Sequence, residues 1–177
     1  MDKKAQVEQL TTYMANFVSY IGKVLPDDIK AKIDELAEKE DSPLSKVIYQ
    51  TMQKNQVLAK ELNRPSCQDT GVLQFWVKCG TNFPLIGELE GLLKEAVVKA
   101  TFEAPLRHNS VETFDEYNTG KNVGKGTPTV FWISYRTVIS AKSIHTWQVA
   151  DVHCQEKLWF SCRAKDTKEL QNLFLML

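Results

Sequence analysis

Neither sign of charge is in surplus: Lys+Arg and Asp+Glu are both 22, and the formal net charge is zero. A protein that tracks nucleic acid or an anionic membrane needs a basic patch, so neither partner is expected. Long apolar runs are lacking too. Nothing approaches the roughly 20 consecutive apolar residues of a membrane span. Met1-Asp2-Lys3-Lys4-Ala5 leads into no apolar stretch like that of a signal peptide. A cytoplasmic location is the expectation. Cysteine is sparse, at positions 67, 79, 154 and 162. In a reducing compartment these are thiols or metal ligands before they are disulfides. The seven residues between Cys154 and Cys162 match no standard zinc spacing.

What is there is ordinary for one globular domain: 177 residues, 43% of them apolar and 25% charged. Val7, Leu10, Met14, Phe17, Ile21 and Val24 recur at helical spacing over 5–25 until Pro26 interrupts. A second helix fits 27–39, with Asp27 and Asp28 in its first turn. Ser42-Pro43 reads as an N-cap followed by proline at the first helical position, and the helix it opens runs to about Leu62. Asn63-Arg64-Pro65 stops it. Residues 72–78 are strand-like, 86–102 helical, 110–117 compatible with a short helix, and Asn118 to Gly126 a loop. Thr129–Trp132 begins a strand. The expected fold class is α+β, predominantly α-helical with a few strands. After about residue 132 no period holds, although Trp132, Trp147 and Trp159 fall there, and an irregular C-terminal tail is expected.

One segment concentrates chemistry. Cys67-Gln68-Asp69-Thr70 sets a thiol, an amide, a carboxyl group and a hydroxyl side by side in the turn between a helix and a strand, where rigid elements commonly hold functional loops. A thiolate binds soft iron, a carboxyl group exchanges protons, and an amide orients a polar substrate. By residue type alone the bland alternatives stay open. Cys67 fits a small buried thiol, and Asp69 fits a turn cap. Asp69-Thr70-Gly71 also suggests an aspartic-protease loop, but Cys67-Gln68 precedes it in place of the apolar strand that site needs.

The run Arg64-Pro65-Ser66-Cys67-Gln68-Asp69-Thr70-Gly71 resembles the signature of the family that joins class I fumarases and L(+)-tartrate dehydratase α subunits. Three further blocks are similar to that family in order and spacing: Phe83 to Leu89, Ala104 to Glu112, and Phe114 to Asn122. The resemblance covers about residues 5–132 and leans toward the tartrate dehydratases through Leu106-Arg107-His108-Asn109. It implies a hydro-lyase acting on a small dicarboxylate. It implies a [4Fe–4S] cluster held by three cysteines with one iron left open, and a β subunit completing an α2β2 enzyme. Carried over residue by residue, Cys67 is the metal ligand, Asp69 the catalytic proton-transfer group, and Gln68 and Arg107 the substrate-binding residues. Arg107 is otherwise readable as a surface arginine. His108 reads as structural, and Cys79 as a buried thiol.

The chain departs from the family after residue 132. The glycine-rich Met-Ala-Gly-Gly-Gly-Cys-Thr-Leu-Pro-Gly run and the second and third cluster cysteines do not occur in 133–177. Trp147-Gln148-Val149-Ala150-Asp151-Val152-His153-Cys154-Gln155-Glu156 can be back-translated, with the degenerate third bases chosen to fit, as tgg cag gtg gcg gat gta cat tgc cag gaa. Read one base earlier behind an added a, those bases encode the missing glycine-rich run. The expectation is therefore a family domain over 1–132, incomplete, and an out-of-frame tail over 133–177 that leaves this polypeptide inactive by itself. Within the enzyme class a fumarate hydratase α subunit is the alternative. Outside it, the alternatives are an inactive remnant that only binds a β subunit, and an unrelated helical interaction module.

Overall fold

The structure, a computed structural model, describes residues 2–67, 71–112, 115–135, 141–150 and 154–162, with side chains up to residue 134. The chain begins with α1 (Lys3–Ile21), α2 (Asp27–Lys39) and α3 (Pro43–Glu61). Strand β1 (Val72–Gly80), helix α4 (Leu89–Glu103) and strand β2 (Thr129–Tyr135) follow, then β3 (Ala141–Ala150) and β4 (Cys154–Cys162). The α+β, mainly helical class read from the sequence is the one observed.

The sheet order is β2-β1-β3-β4. β1 and β2 run parallel, with Gln74 opposite Thr129 and Gly80 opposite Tyr135. A parallel pair cannot be joined by a tight turn, and the crossover it needs contains α4. β3 pairs antiparallel with the other edge of β1, and β4 with β3. Side chains along β1 alternate by the period of an extended strand. Leu73, Phe75, Val77 and Cys79 are buried, while Trp76 on the opposite face stacks on its cross-strand neighbour Phe131 at 4.6 Å.

α1 and α4 cover the buried face of β1. Leu10, Met14, Phe17, Val18 and Ile21 from α1 join Leu89, Leu92, Leu93, Ala96, Val97 and Ala100 from α4 in one core. Each large side chain removed from water there contributes on the order of 1.5–3 kcal/mol. Ala96 and Ala100 are small enough to let the two helices approach closely, and both are fully buried.

α2 and α3 stand apart from this core. α2 buries no residue, and α3 buries only Ala59. Leu44, Val47, Ile48, Met52, Leu58 and Leu62 form an exposed apolar stripe along α3, Leu44 being 73% and Leu62 57% accessible. An apolar helix face left open to this degree is unusual for a self-contained domain.

Three local expectations need revision. Ser42 does precede Pro43 at the start of α3, but its side chain makes no cap bond; the backbone N–H groups of Asp41 and Ser42 donate instead to Glu40 Oε1 at 3.0 and 2.9 Å. The described residues of the stretch 110–117, expected as a short helix, are not helical. Glu112 N donates to Tyr117 O at 2.8 Å, Val111 bridges Asn118 antiparallel, and the buried Glu112 carboxylate accepts from Asp115 N at 2.9 Å. Part of the stretch expected to be irregular, 141–150 and 154–162, is paired as β3 and β4. A free edge on β1 offers unpaired N–H and C=O groups, and extended backbone satisfies them. The remainder of the tail lies outside the described residues.

Candidate functional site

The site grows from the C-terminal end of α3. Leu62 N donates to Leu58 O at 2.9 Å, and Asn63 then turns left-handed with φ 50°. Asparagine tolerates that conformation better than most residues, so it serves at helix ends where glycine is more usual. Its side chain is anchored in both directions. Oδ1 accepts from Lys23 Nζ at 2.6 Å, and Nδ2 donates to Glu103 O at 2.9 Å, so the loop is tied to the ends of α1 and α4 at once. Burial lowers the Lys23 ammonium pKa below its ordinary value.

The next residues are fixed by backbone contacts. Arg64 N donates to Ala59 O at 3.0 Å, and Ser66 N donates to Gly22 O at 2.9 Å. Asn55, two turns back on α3, donates its side-chain amide to Ser66 O. Cys67 emerges from this frame with an exposed, free thiol. Gln68, Asp69 and Thr70 lie outside the described residues. Gly71, at φ 65°, leads into β1 with a conformation that a side chain would strain.

A second segment approaches from the end of α4. Leu106 N donates to Thr101 O at 3.2 Å, and the Leu106 side chain is buried against α1. A Cβ on Gly22 would sit 3.1 Å from Leu106 Cδ2, so glycine is what allows this approach. Beyond Leu106 the backbone is held by Asn122, which is only 6% exposed. Asn122 Nδ2 donates to Arg107 O at 2.8 Å and Thr101 Oγ1 at 3.2 Å, while Oδ1 accepts from Asn109 N at 3.0 Å and Ser110 N at 3.4 Å.

These two segments enclose a pocket of about 490 Å³ lined by Asn55, Arg64, Pro65, Ser66, Cys67, Pro105 and Arg107. Cys67 and Arg107, 40 positions apart in sequence, therefore face one cavity. The described lining carries two guanidinium groups, a thiol, an amide and a hydroxyl, and no carboxylate. Such a set is suited to an anion. Cys79 takes no part. It is buried in the core, and burial raises its thiol pKa, which keeps it protonated. His108 is exposed beside Gly120 rather than in the pocket.

The sequence reading took Asn63 only as part of a helix stop and gave Asn55 and Asn122 no role. Asn63 was legible in principle as an asparagine directly behind a helix. Asn55 and Asn122 gave no such sign, because their partners are distant in sequence.

Among the described residues no group of three or more His, Cys, Asp or Glu is arranged to hold a metal ion. No helix among them is long and apolar enough to cross a membrane.

A family model described as fumarate hydratase (Fumerase) matches residues 11–146, which ends one residue before Trp147. The L(+)-tartrate dehydratase subunit alpha of Escherichia coli strain K12 is 52% identical over 131 residues, 74% of this chain and 43% of that protein. The protein of the same name from Shigella sonnei strain Ss046 matches to the same extent, 52% over 131 residues. A putative L(+)-tartrate dehydratase subunit alpha of Methanocaldococcus jannaschii is 39% identical over 106 residues, 59% of this chain and 37% of that protein. The chain spans less than half the length of these curated relatives.

Proposed function

The chain belongs to the fumarate hydratase family, and from that premise we propose that it is the front part of the α subunit of a hydro-lyase that dehydrates L(+)-tartrate to oxaloacetate. The observation that supports this reading is the pocket shared by Arg107 and Cys67, the first residue of the Cys67-Gln68-Asp69-Thr70-Gly71 motif. Relatives at 52% identity bear the tartrate dehydratase name, which favours tartrate over malate or fumarate as substrate.

In this reading Arg107 clamps one substrate carboxylate through its planar fork. Gln68 hydrogen-bonds the substrate, and Asp69 serves in proton transfer. The chemistry is an elimination. A proton leaves the carbon beside one carboxylate, hydroxide leaves the adjacent carbon, and the resulting enol becomes the keto acid.

The family's [4Fe–4S] cluster, when bound, supplies an open iron that acts as a Lewis acid on substrate oxygens. The described residues offer it one thiolate, that of Cys67, where the family uses three cysteines. They fit one corner of the cluster and do not fit the whole, so no step is assigned through it. The name "subunit alpha" carried by the relatives supports a partner subunit, as does the apolar stripe on α3. We take that partner to be a β subunit in an α2β2 enzyme, working in the cytoplasm.

The Trp147–Glu156 run supports a slip of reading frame near Ile133, which splits the chain into a family domain over 1–132 and an out-of-frame tail over 133–177. The gene sequence around codon 133 tests this: a single-base shift should restore the glycine-rich run, and its failure to do so removes the proposal. For the activity, the frame-restored chain with its partner subunit is assayed on L-tartrate and L-malate. Oxaloacetate from tartrate is expected; fumarate from malate with no reaction of tartrate overturns the substrate assignment.

A further inference from the structure

Asn55 interrupts the open apolar face of α3. Ile48 and Met52 precede it by seven and three residues, and Leu58 and Leu62 follow it by three and seven, spacings that share one helix face. Asparagine is also a poor helix former, because its side chain competes for backbone partners. An exposed position inside a helix gives no local reason for it. The reason lies at the far end of the amide. Asn55 Nδ2 donates to Ser66 O, the carbonyl of the peptide unit that leads into Cys67.

That contact completes a frame. Pro65 holds its own φ at about −65° and keeps Arg64 extended. Ser66 N donates to Gly22 O at 2.9 Å, and Ser66 O accepts from Asn55. Peptide units are planar, so fixing the units on both sides of the Ser66 Cα fixes its two soft dihedrals. The Cα of Cys67 is then placed, and χ1 is the main freedom left to its thiol. Gly22 ties this frame to the end of α1, and Asn55 ties it to α3. The Asn55 amide also faces the pocket that Cys67 and Arg107 line. There one of its N–H groups is committed to the backbone, and its oxygen, an acceptor, would oppose a carboxylate. We propose that Asn55 is a positioning residue: it holds the Ser66–Cys67 peptide unit so that the thiol stays turned into the pocket shared with Arg107, and it does not itself bind substrate. The inference rests on the reading of this pocket as the substrate site.

The tether is tested in the full chain by hydrogen exchange at the Ser66 amide, followed by NMR. In Asn55→Ala this amide should exchange about fivefold faster, the scale of one hydrogen bond. The amides of α3 should exchange no faster, because alanine is the better helix former. Asn55→Asp, of the same shape but without the donor, should loosen Ser66 at least as much. Asn55→Gln keeps the amide on a longer arm and should restore part of the protection. Faster exchange throughout α3 in Asn55→Ala, or an unchanged rate at Ser66, overturns the tether.

The role is tested in the frame-restored chain with its partner subunit. Asn55→Ala should lower kcat for L-tartrate about fivefold and leave KM within about twofold, the pattern of a group that acts through another and not on bound substrate. Asn55→Gln should recover part of kcat. A raised KM with kcat unchanged makes Asn55 a substrate contact and overturns the positioning role. Wild-type kinetics in Asn55→Ala overturn that role alone when Cys67→Ser has lost activity. Wild-type kinetics in Cys67→Ser as well overturn the pocket reading and the inference with it.

Discussion

Replacing Asn122 by alanine removes the side chain that holds the Arg107 segment. Four hydrogen bonds are lost. Two have good lengths, 2.8 Å to Arg107 O and 3.0 Å from Asn109 N; two are long, 3.2 Å to Thr101 Oγ1 and 3.4 Å from Ser110 N. A typical net contribution is about 0.5–1.5 kcal/mol per bond, and unsatisfied buried partners cost at least that much. Counting the good pair fully and the long pair in part gives about 2 kcal/mol. Asn122 also sits at φ 57°, where alanine is strained by about 1 kcal/mol. The expected loss is therefore about 3 kcal/mol, a large share of the 5–15 kcal/mol typical of a folded domain. Urea unfolding followed by circular dichroism should show the midpoint falling by about 1–2 M at the usual denaturant slopes. Asn122→Gly, which relieves the backbone strain, should lose about 2 kcal/mol. Asn122→Asp should be at least as damaging as alanine, because it turns an acceptor toward the Arg107 and Thr101 oxygens. A midpoint for Asn122→Ala within about 0.3 M of wild type would refute the assigned role.

Further outcomes follow from the same geometry. At neutral pH, iodoacetamide should label Cys67 within minutes while Cys79 stays silent until urea unfolds the chain, since Cys67 is exposed and Cys79 is buried with a raised thiol pKa; equal labelling of the two peptides in mass spectra of the native protein contradicts the core position of Cys79. Gly22→Ala places a methyl group 3.1 Å from the buried Leu106 Cδ2 and should cost about 1 kcal/mol, lowering the melting temperature by about 2–4 °C; an unchanged melting temperature means that the α1–Leu106 contact is looser than described. Asn63→Ala loses two side-chain bonds and a left-handed helix end, for about 1–2 kcal/mol, part of which Asn63→Gly should restore; denaturant midpoints that rank alanine above glycine contradict the backbone argument.

Much of the architecture was legible because it depends on local period. The 3.6-residue spacing in α1, α2 and α3, the proline interruptions at Pro26 and Pro65, and the strand-like run Val72–Lys78 each appear where the sequence placed them. The segment 110–117 was misread because the decisive contact belongs to a buried carboxylate, Glu112, which takes backbone N–H groups of Asp115 and Lys125. Nothing in its neighbours' hydropathy announces that burial. The strands after residue 140 were missed because no alternation marks them; what they satisfy is the free edge of β1, a property of the sheet rather than of their own residues. The candidate site divides in the same way. Cys67 and Arg107 came from resemblance, since no spacing rule links positions 40 apart. Arg64 was inside the quoted motif but looked like part of a helix stop, and only the pocket shows which way it faces.

The central claim is that Cys67 belongs to a substrate-binding iron–sulfur site. In the frame-restored chain purified with its partner subunit, Cys67→Ser and the control Cys79→Ser are compared for iron and sulfide content and for oxaloacetate release from L-tartrate. The account predicts that Cys67→Ser loses both the bound cluster and the activity, while Cys79→Ser retains them. A Cys67→Ser enzyme that keeps its full iron content and turns over tartrate at the wild-type rate would contradict it.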